Sequence, residues 1–140
     1  MLRLGLVAKF AERPIRFRST TATSLLTMTR QEALAKLSRI ILLNAAALQQ
    51  ALNYCATNGI GAFRIGSDIL PRKTHPDVGY DVAELPQAEE LVACFRACGD
   101  FARQHDLRLS FHPSQFTLLS SADAGVTERS LVEIEYQAEV

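Results

Sequence analysis

The sequence has no long hydrophobic run. Its longest unbroken apolar stretches are a few residues, such as Ile40-Ile41-Leu42-Leu43. A membrane-crossing helix needs roughly 18 to 20, so none is expected. The opening Met1-Leu-Arg-Leu-Gly-Leu-Val-Ala-Lys9 is too short for a signal-peptide core and reads as a strand. Cysteine is scarce and odd in number, at three. With no export signal, this predicts a reducing, cytoplasmic setting without a disulfide framework. Net charge is absent too, with 15 basic and 15 acidic residues. No close repeat or low-complexity segment is present. What remains is ordinary globular composition: 48% apolar and 21% charged residues over 140 positions, room for one compact domain rather than two.

The zero net charge hides an asymmetry. Residues 1–40 carry eight Lys or Arg against only Glu12 and Glu32, whereas residues 41–140 carry seven basic and thirteen acidic residues. A basic segment on a neutral chain is either a phosphate-contacting surface or a solvated face with its counter-charges elsewhere.

Three strand-then-helix units follow one another. Strand one runs from Leu2 to about Ala8. A loop rich in Arg, Ser and Thr follows to Met28; at roughly 20 residues it is long for a compact domain. Thr29-Arg-Gln-Glu32 fits a capping box. Apolar residues then recur at Leu34, Leu37, Ile41, Ala45, Leu48, Leu52 and Cys55, the helical period, and stop at Asn58-Gly59. The length of this run predicts a bend or break near Asn44. Strand two is Ile60–Ile65, followed by a second long loop to about Pro86. The next helix spans about Gln87 to His105, with Leu91, Cys94, Phe95, Cys98 and Ala102 on one face. Strand three is Leu107–Phe111. A last helix begins near Val126, with Leu131, Ile134 and Ala138 inward. Alternation of this kind predicts an α/β fold with parallel strands and crossover helices. The long loops follow the strands, where the active sites of barrels and open α/β sheets lie. A TIM (β/α)8 barrel needs about 250 residues. Three units are too few for one, and Glu133–Val140 reads as a helix in mid-course, so the expectation is a truncated protein. The rival is a small complete three-layer domain.

His75 lies on the second loop and His112 directly follows strand three; each precedes a Pro. Two imidazoles at the ends of adjacent parallel strands are candidates to share one metal ion. The plainer alternative makes each a loop residue bonded to backbone. Zinc, for one, takes about four ligands, so further ligands are required. Cys94 and Cys98 sit four apart on an apolar helix face and read, like Cys55, as core. His105 reads as a structural residue at a helix C-terminus. Lys9, Arg13, Arg16 and Arg18, with Thr20 and Thr21, line the first loop, and Arg72-Lys73 adjoin His75. Such groups suit phosphodiester oxygens. Gln115-Phe116 follows His112, and an exposed Phe there would be a wedge for an unstacked base step; the alternative is a Phe packed beneath its own loop.

These residues resemble the UV damage endonuclease family. The resemblance rests on Arg3-Leu4-Gly5, Phe17-Arg-Ser-Thr-Thr21, Asn44, Asn53-Tyr54, Phe63-Arg64-Ile65-Gly66-Ser67, Leu70-Pro71, His75-Pro76, His112-Pro113-Ser114-Gln115-Phe116, Glu128-Arg129-Ser130-Leu131 and Glu135-Tyr136. It spans essentially the whole chain in order. It implies a TIM barrel related in architecture to endonuclease IV, with a manganese cluster at its mouth, that nicks UV-damaged double-stranded DNA beside the photoproduct. On this chain it implies His75 and His112 as metal ligands and Gln115 and Phe116 as the damage-probing pair. Lys73 and Arg18 then belong to the DNA-binding surface. Many relatives have Tyr at the place of Phe116, and some carry Tyr and Asn where Leu6 and Phe10 stand. The family's remaining ligands and a special lysine would lie beyond Val140. Residues 1–140 then form the N-terminal part of the endonuclease domain, a fragment inactive alone, with the full-length protein a cytoplasmic monomer. Two alternatives stand beside this reading: a sugar isomerase or epimerase of similar barrel type, for which the Arg/Thr loop and the Gln-Phe pair lack a purpose, and a small non-catalytic nucleic-acid-binding domain.

Overall fold

A computed structural model of the chain describes residues 2–7, 10, 11 and 13–140; Lys9 and the expected strand end at Ala8 lie outside them. The elements in order are β1 (Gly5–Val7), α1 (Ala22–Leu26), α2 (Arg30–Thr57), β2 (Ala62–Gly66), α3 (Ala88–Gln104), β3 (Arg108–His112) and α4 (Ala124–Glu139). Two short 3-10 turns, Ser67–Ile69 and Val82–Glu84, punctuate the loop between β2 and α3.

Helix α2 shows how local sequence sets an element. Thr29 Oγ1 accepts the Glu32 N–H, and Glu32 Oε2 accepts the Thr29 N–H at 2.9 Å. This reciprocal box satisfies two of the helix's orphan donors. At the other end Gly59 takes φ 69°, and the Ile60 N–H reaches back to the Cys55 carbonyl at 2.9 Å. That closure is a Schellman turn, which needs a left-handed residue. The helix runs 28 residues without the break expected near Asn44. An Asn breaks a helix when its amide competes for nearby backbone; here the amide bonds to other segments, and the helical ladder is untouched. Thr29→Ala should lower stability by about 1 kcal/mol, the usual cost of losing a Thr cap, read as a shift in urea midpoint. The Thr29 N–H, then its hydroxyl, hold the Glu32 carboxyl below its ordinary value. The box therefore contributes above the unfolded-state pKa and is lost as pH falls through the lowered folded-state value, so the difference between the two proteins should shrink in acid.

The three strands are parallel and adjacent in chain order, with Leu6 opposite Phe63, Phe63 opposite Leu109 and Gly66 opposite His112. Alternation divides their side chains. Phe63 and Ile65 point into a core shared with Leu37, Ile41, Leu48 and Leu52 of α2 and Leu91, Cys98 and Ala102 of α3. Arg64, Arg108, Ser110 and His112 lie exposed. In α3 the expected face is only partly buried: Cys94 and Phe95 sit at its rim. Burial pushes the Cys98 thiol up to about 11, with Cys94 adding to the effect. All three cysteines are unpaired, with Cys55 and Cys98 buried and Cys94 half-buried.

Two expectations need correction. The first loop is interrupted: Ala22–Leu26 form α1, which Thr21 caps by accepting the Ser24 N–H at 3.1 Å. In α4 the inward residues are Ser130, Tyr136 and Gln137, whereas Leu131 is 48% exposed and Ala138 is exposed. This helix docks through polar contacts rather than an apolar stripe. Ser130 Oγ accepts the Leu118 N–H at 2.8 Å, and the Tyr136 hydroxyl donates to the Ser67 carbonyl.

Candidate nucleic-acid interface

The C-terminal ends of the strands gather the candidate residues on three loops. The loop after β1 is held by aromatic packing. Phe10 meets Tyr54 edge-on at 5.3 Å, and the rings of Phe10 and Phe17 stack on Phe63 at 6.2 and 6.4 Å. From this base Arg13, Arg16 and Arg18 are exposed, and the Arg13 guanidinium lies 5.6 Å from the Tyr54 ring centre. The backbone at Arg18 is fixed by the buried Asn44. Asn44 Oδ1 accepts the Arg18 N–H at 2.7 Å, and Asn44 Nδ2 donates to the Arg18 carbonyl at 2.9 Å. The same amide faces the carbonyls of Asp68 and Ile69 at 3.3 and 3.1 Å.

The loop after β2 carries His75 in a tight turn. The His75 N–H reaches the Arg72 carbonyl, and the Gly79 N–H reaches the His75 carbonyl at 2.7 Å. The ring's Nδ1 accepts the Asp77 N–H at 3.2 Å. Arg72 has φ 61° and donates from Nε to the Thr20 carbonyl at 2.9 Å, a second tie to the first loop. Lys73 is drawn inward. Its side chain is only 13% exposed, and its ammonium sits 3.5 Å from the Asp81 carboxylate. Asp81 is open to solvent, so the pair is a screened one, and an arriving phosphate would compete with it. Thr74 Oγ1 donates to Glu133 of α4 at 2.9 Å, which joins the third loop's helix to the second loop.

The loop after β3 begins at the exposed His112 and turns at Ser114. The Thr117 N–H bonds the Ser114 carbonyl at 2.9 Å, and Ser114 Oγ accepts the Phe116 N–H at 3.3 Å. This turn lifts Gln115 and Phe116 to the tip, where Phe116 is 77% exposed. An aromatic side chain standing clear of the core is the arrangement a wedge requires, rather than one packed beneath its loop.

The two histidines open into neighbouring clefts. His112 lines a cleft of about 470 Å³ with Phe10, Arg16 and Phe17; His75 lines one of about 190 Å³ with Lys73, Glu133 and Tyr136. Ser67 and Asp68 form part of both walls. Among the described residues no three His, Cys, Asp or Glu side chains gather as a metal-holding group. The chain thus presents two imidazoles of the right donor chemistry at the sheet mouth, but these residues by themselves do not make a metal centre. Sequence reasoning missed Asn44 and Tyr136 as organisers of this surface. The available signal was their polarity within otherwise apolar helical positions.

A sequence model of the family described as UV-endonuclease UvdE matches residues 2–140. The UV DNA damage endonuclease of Bacillus mycoides (strain KBAB4) is 31% identical over 123 residues, covering 88% of this chain and 37% of the relative. That of Bacillus pumilus (strain SAFR-032) is 34% identical over 106 residues, covering 76% of this chain and 31% of the relative. The crystal structure of SacUVDE superimposes with a TM-score of 0.80 at 24% identity, over 99% of this chain and 44% of that one. The chain therefore spans about a third of the length of these curated relatives. With its α/β parallel sheet and a family match from residue 2 to residue 140, the chain belongs to the UvdE family of UV-endonucleases.

Proposed function

We propose that these residues are the first three β/α units of a TIM-barrel DNA repair endonuclease that nicks the backbone of UV-damaged duplex DNA beside the photoproduct. The observation that carries the reading is the β3 loop: His112 at the strand end and Phe116 exposed at the tip four residues on. The sheet supports the barrel. Its strands follow one another in chain order, and α2 and α3 pack on one face, as in a singly wound arc. A doubly wound sheet reverses direction at a switch point instead.

In this reading Arg18 and the neighbouring arginines hold backbone phosphates, and Lys73 exchanges Asp81 for a phosphate oxygen. Gln115 and Phe116 enter the duplex at the lesion. A damaged step costs less to unstack than an intact one, and that difference carries selectivity. His75 and His112 supply two ligands to manganese, and the remaining donors come from outside these 140 residues. When bound, the metal provides charge neutralisation and an activated water for phosphodiester hydrolysis. The chain alone then binds DNA without cutting it, and the complete enzyme is a cytoplasmic monomer.

The test is fluorescence anisotropy of this chain with a short duplex carrying one photoproduct, against the undamaged duplex, across salt concentrations. Binding should weaken steeply with salt. Phe116→Ala should erase most of the preference for the damaged duplex, while Arg18→Ala should weaken both duplexes alike and reduce the salt slope by about 0.9, the value of one phosphate contact. Salt-independent binding, or equal affinity of the wild-type chain for both duplexes, would sink the reading.

A further inference from the structure

Asn44 is fully buried in the middle of α2, among apolar neighbours. Burying an amide is costly unless its bonding capacity is filled. Here it is filled from two directions. Toward the first loop, the side chain closes a two-bond ring with the backbone of Arg18 at 2.7 and 2.9 Å. Toward the second loop, Nδ2 faces the Asp68 and Ile69 carbonyls at the turn that follows β2. Apolar residues of the same size offer none of these contacts. An aspartate keeps the acceptor for the Arg18 N–H but, when ionised, sets a negative oxygen against three carbonyls.

The two segments joined in this way are those that the proposed function gives different tasks. Arg18 lies on the basic first loop. Asp68 walls both the cleft of His75 and that of His112. Arg72, reaching the Thr20 carbonyl, is a second strut between the same loops, but it is exposed at the surface. Asn44 is the buried one, and it is attached to the longest helix of the fold.

Resting on the DNA-binding reading above, we propose that Asn44 is a positioning residue. It sets the phosphate-contacting Arg18 loop at a fixed distance from the loop that carries His75, so that backbone grip and strand-end chemistry address the same stretch of duplex. It acts through Arg18 and touches no DNA itself.

The test is a double-mutant cycle on the full chain with Asn44→Ala, Arg18→Ala and the pair, together with the near-isosteric Asn44→Asp as a second variant should the alanine fail to fold. Duplex affinity is measured against salt, and amide hydrogen exchange is followed at Arg18 and along α2. A residue acting through Arg18 predicts three results. The Arg18 amide exchanges at least about tenfold faster in Asn44→Ala while the α2 amides keep their protection. The salt slope falls by about 0.9, as it does in Arg18→Ala. The double variant binds no more weakly than Arg18→Ala alone, since residues acting as one unit are not additive. Asn44→Asp, folded by its melting curve, should show the same loss of slope.

Additive losses, or an unchanged salt slope in a folded Asn44 variant, would overturn the proposal and leave Asn44 as a core residue only. A wild-type chain with no salt-dependent duplex binding would instead overturn the nuclease reading and this role together. The exchange data separate the cases, because they report the loop tie without DNA.

Discussion

Phe63→Ala is expected to cost about 3–5 kcal/mol of folding stability, the range for truncating a buried aromatic. Phe63 is fully buried at the centre of the middle strand, opposite Leu6 on one side and Leu109 on the other. It is also the ring on which Phe10 and Phe17 stack. Removing it deletes apolar contact in the core beneath α2 and both aromatic pairs, each pair worth about 0.5–1.5 kcal/mol beyond area. A domain of this size holds roughly 5–15 kcal/mol in all, so the variant should lose a large share of its stability. Urea denaturation followed by circular dichroism measures it. Phe63→Leu separates two effects. Leucine restores much of the volume but offers no ring, so stability should recover in part while the first loop, with Arg16 and Arg18, stays loosened. Amide exchange at residues 16–18 reads that loosening. A loss of under about 1 kcal/mol in Phe63→Ala would mean that the aromatic cluster does not form.

How much of this fold was legible in the sequence depends on how each element is held. Helix α2 was readable nearly to the residue, because its period, its Thr29–Glu32 box and its Gly59 stop are all local signals. The order of strands and helices followed from alternation. Short elements escaped: α1 is five residues, less than two turns, and no periodicity can be counted over that length. The inward face of α4 escaped for a different reason. Apolar spacing picks out Leu131, Ile134 and Ala138, but the helix is held by hydroxyl and carbonyl contacts of Ser130 and Tyr136. Patterning locates apolar cores and says little about an element docked by hydrogen bonds.

The candidate site divides in the same way. His75, His112, Gln115 and Phe116 stood out because they follow strands and because His-Pro pairs are conspicuous. They lie at the end of β3 and on the loops after β2 and β3, with His112, Gln115 and Phe116 exposed and His75 half-buried. The linkages between the loops were invisible. Asn44 to Arg18 spans 26 positions and Arg72 to Thr20 spans 52; nothing in either local sequence names the partner. Lys73 read as a phosphate contact beside His75, and Asp81 meets it across the turn. Sequence identifies which groups have useful chemistry, whereas their mutual restraint is a property of the folded backbone.

That restraint is most exposed to test at Gly79. A Cβ there would stand 2.5 Å from the His75 carbonyl oxygen and 2.8 Å from that of Lys73. Both obstacles are backbone, and neither can swing aside as a side chain would. The Gly79 N–H is itself bonded to the His75 carbonyl at 2.7 Å, and the Gly79 carbonyl accepts from Arg30 at 2.9 Å. Gly79→Ala must therefore open the turn that holds His75 and shift Lys73 away from Asp81. The expected cost is about 1–3 kcal/mol, as for an overpacked site. The more telling effect is local: the His75 imidazole resonances and the amides of residues 72–80 should move, while His112 and α2 stay in place. Gly59→Ala is the control. Gly59 has φ 69° but nothing within 4 Å of an added Cβ, so it pays only for its left-handed backbone, about 1 kcal/mol, and leaves His75 unmoved. If Gly79→Ala instead matched wild type in stability with unshifted His75 resonances, the turn would not be packed against Gly79, and the placement of His75 at the sheet mouth would lose its structural basis.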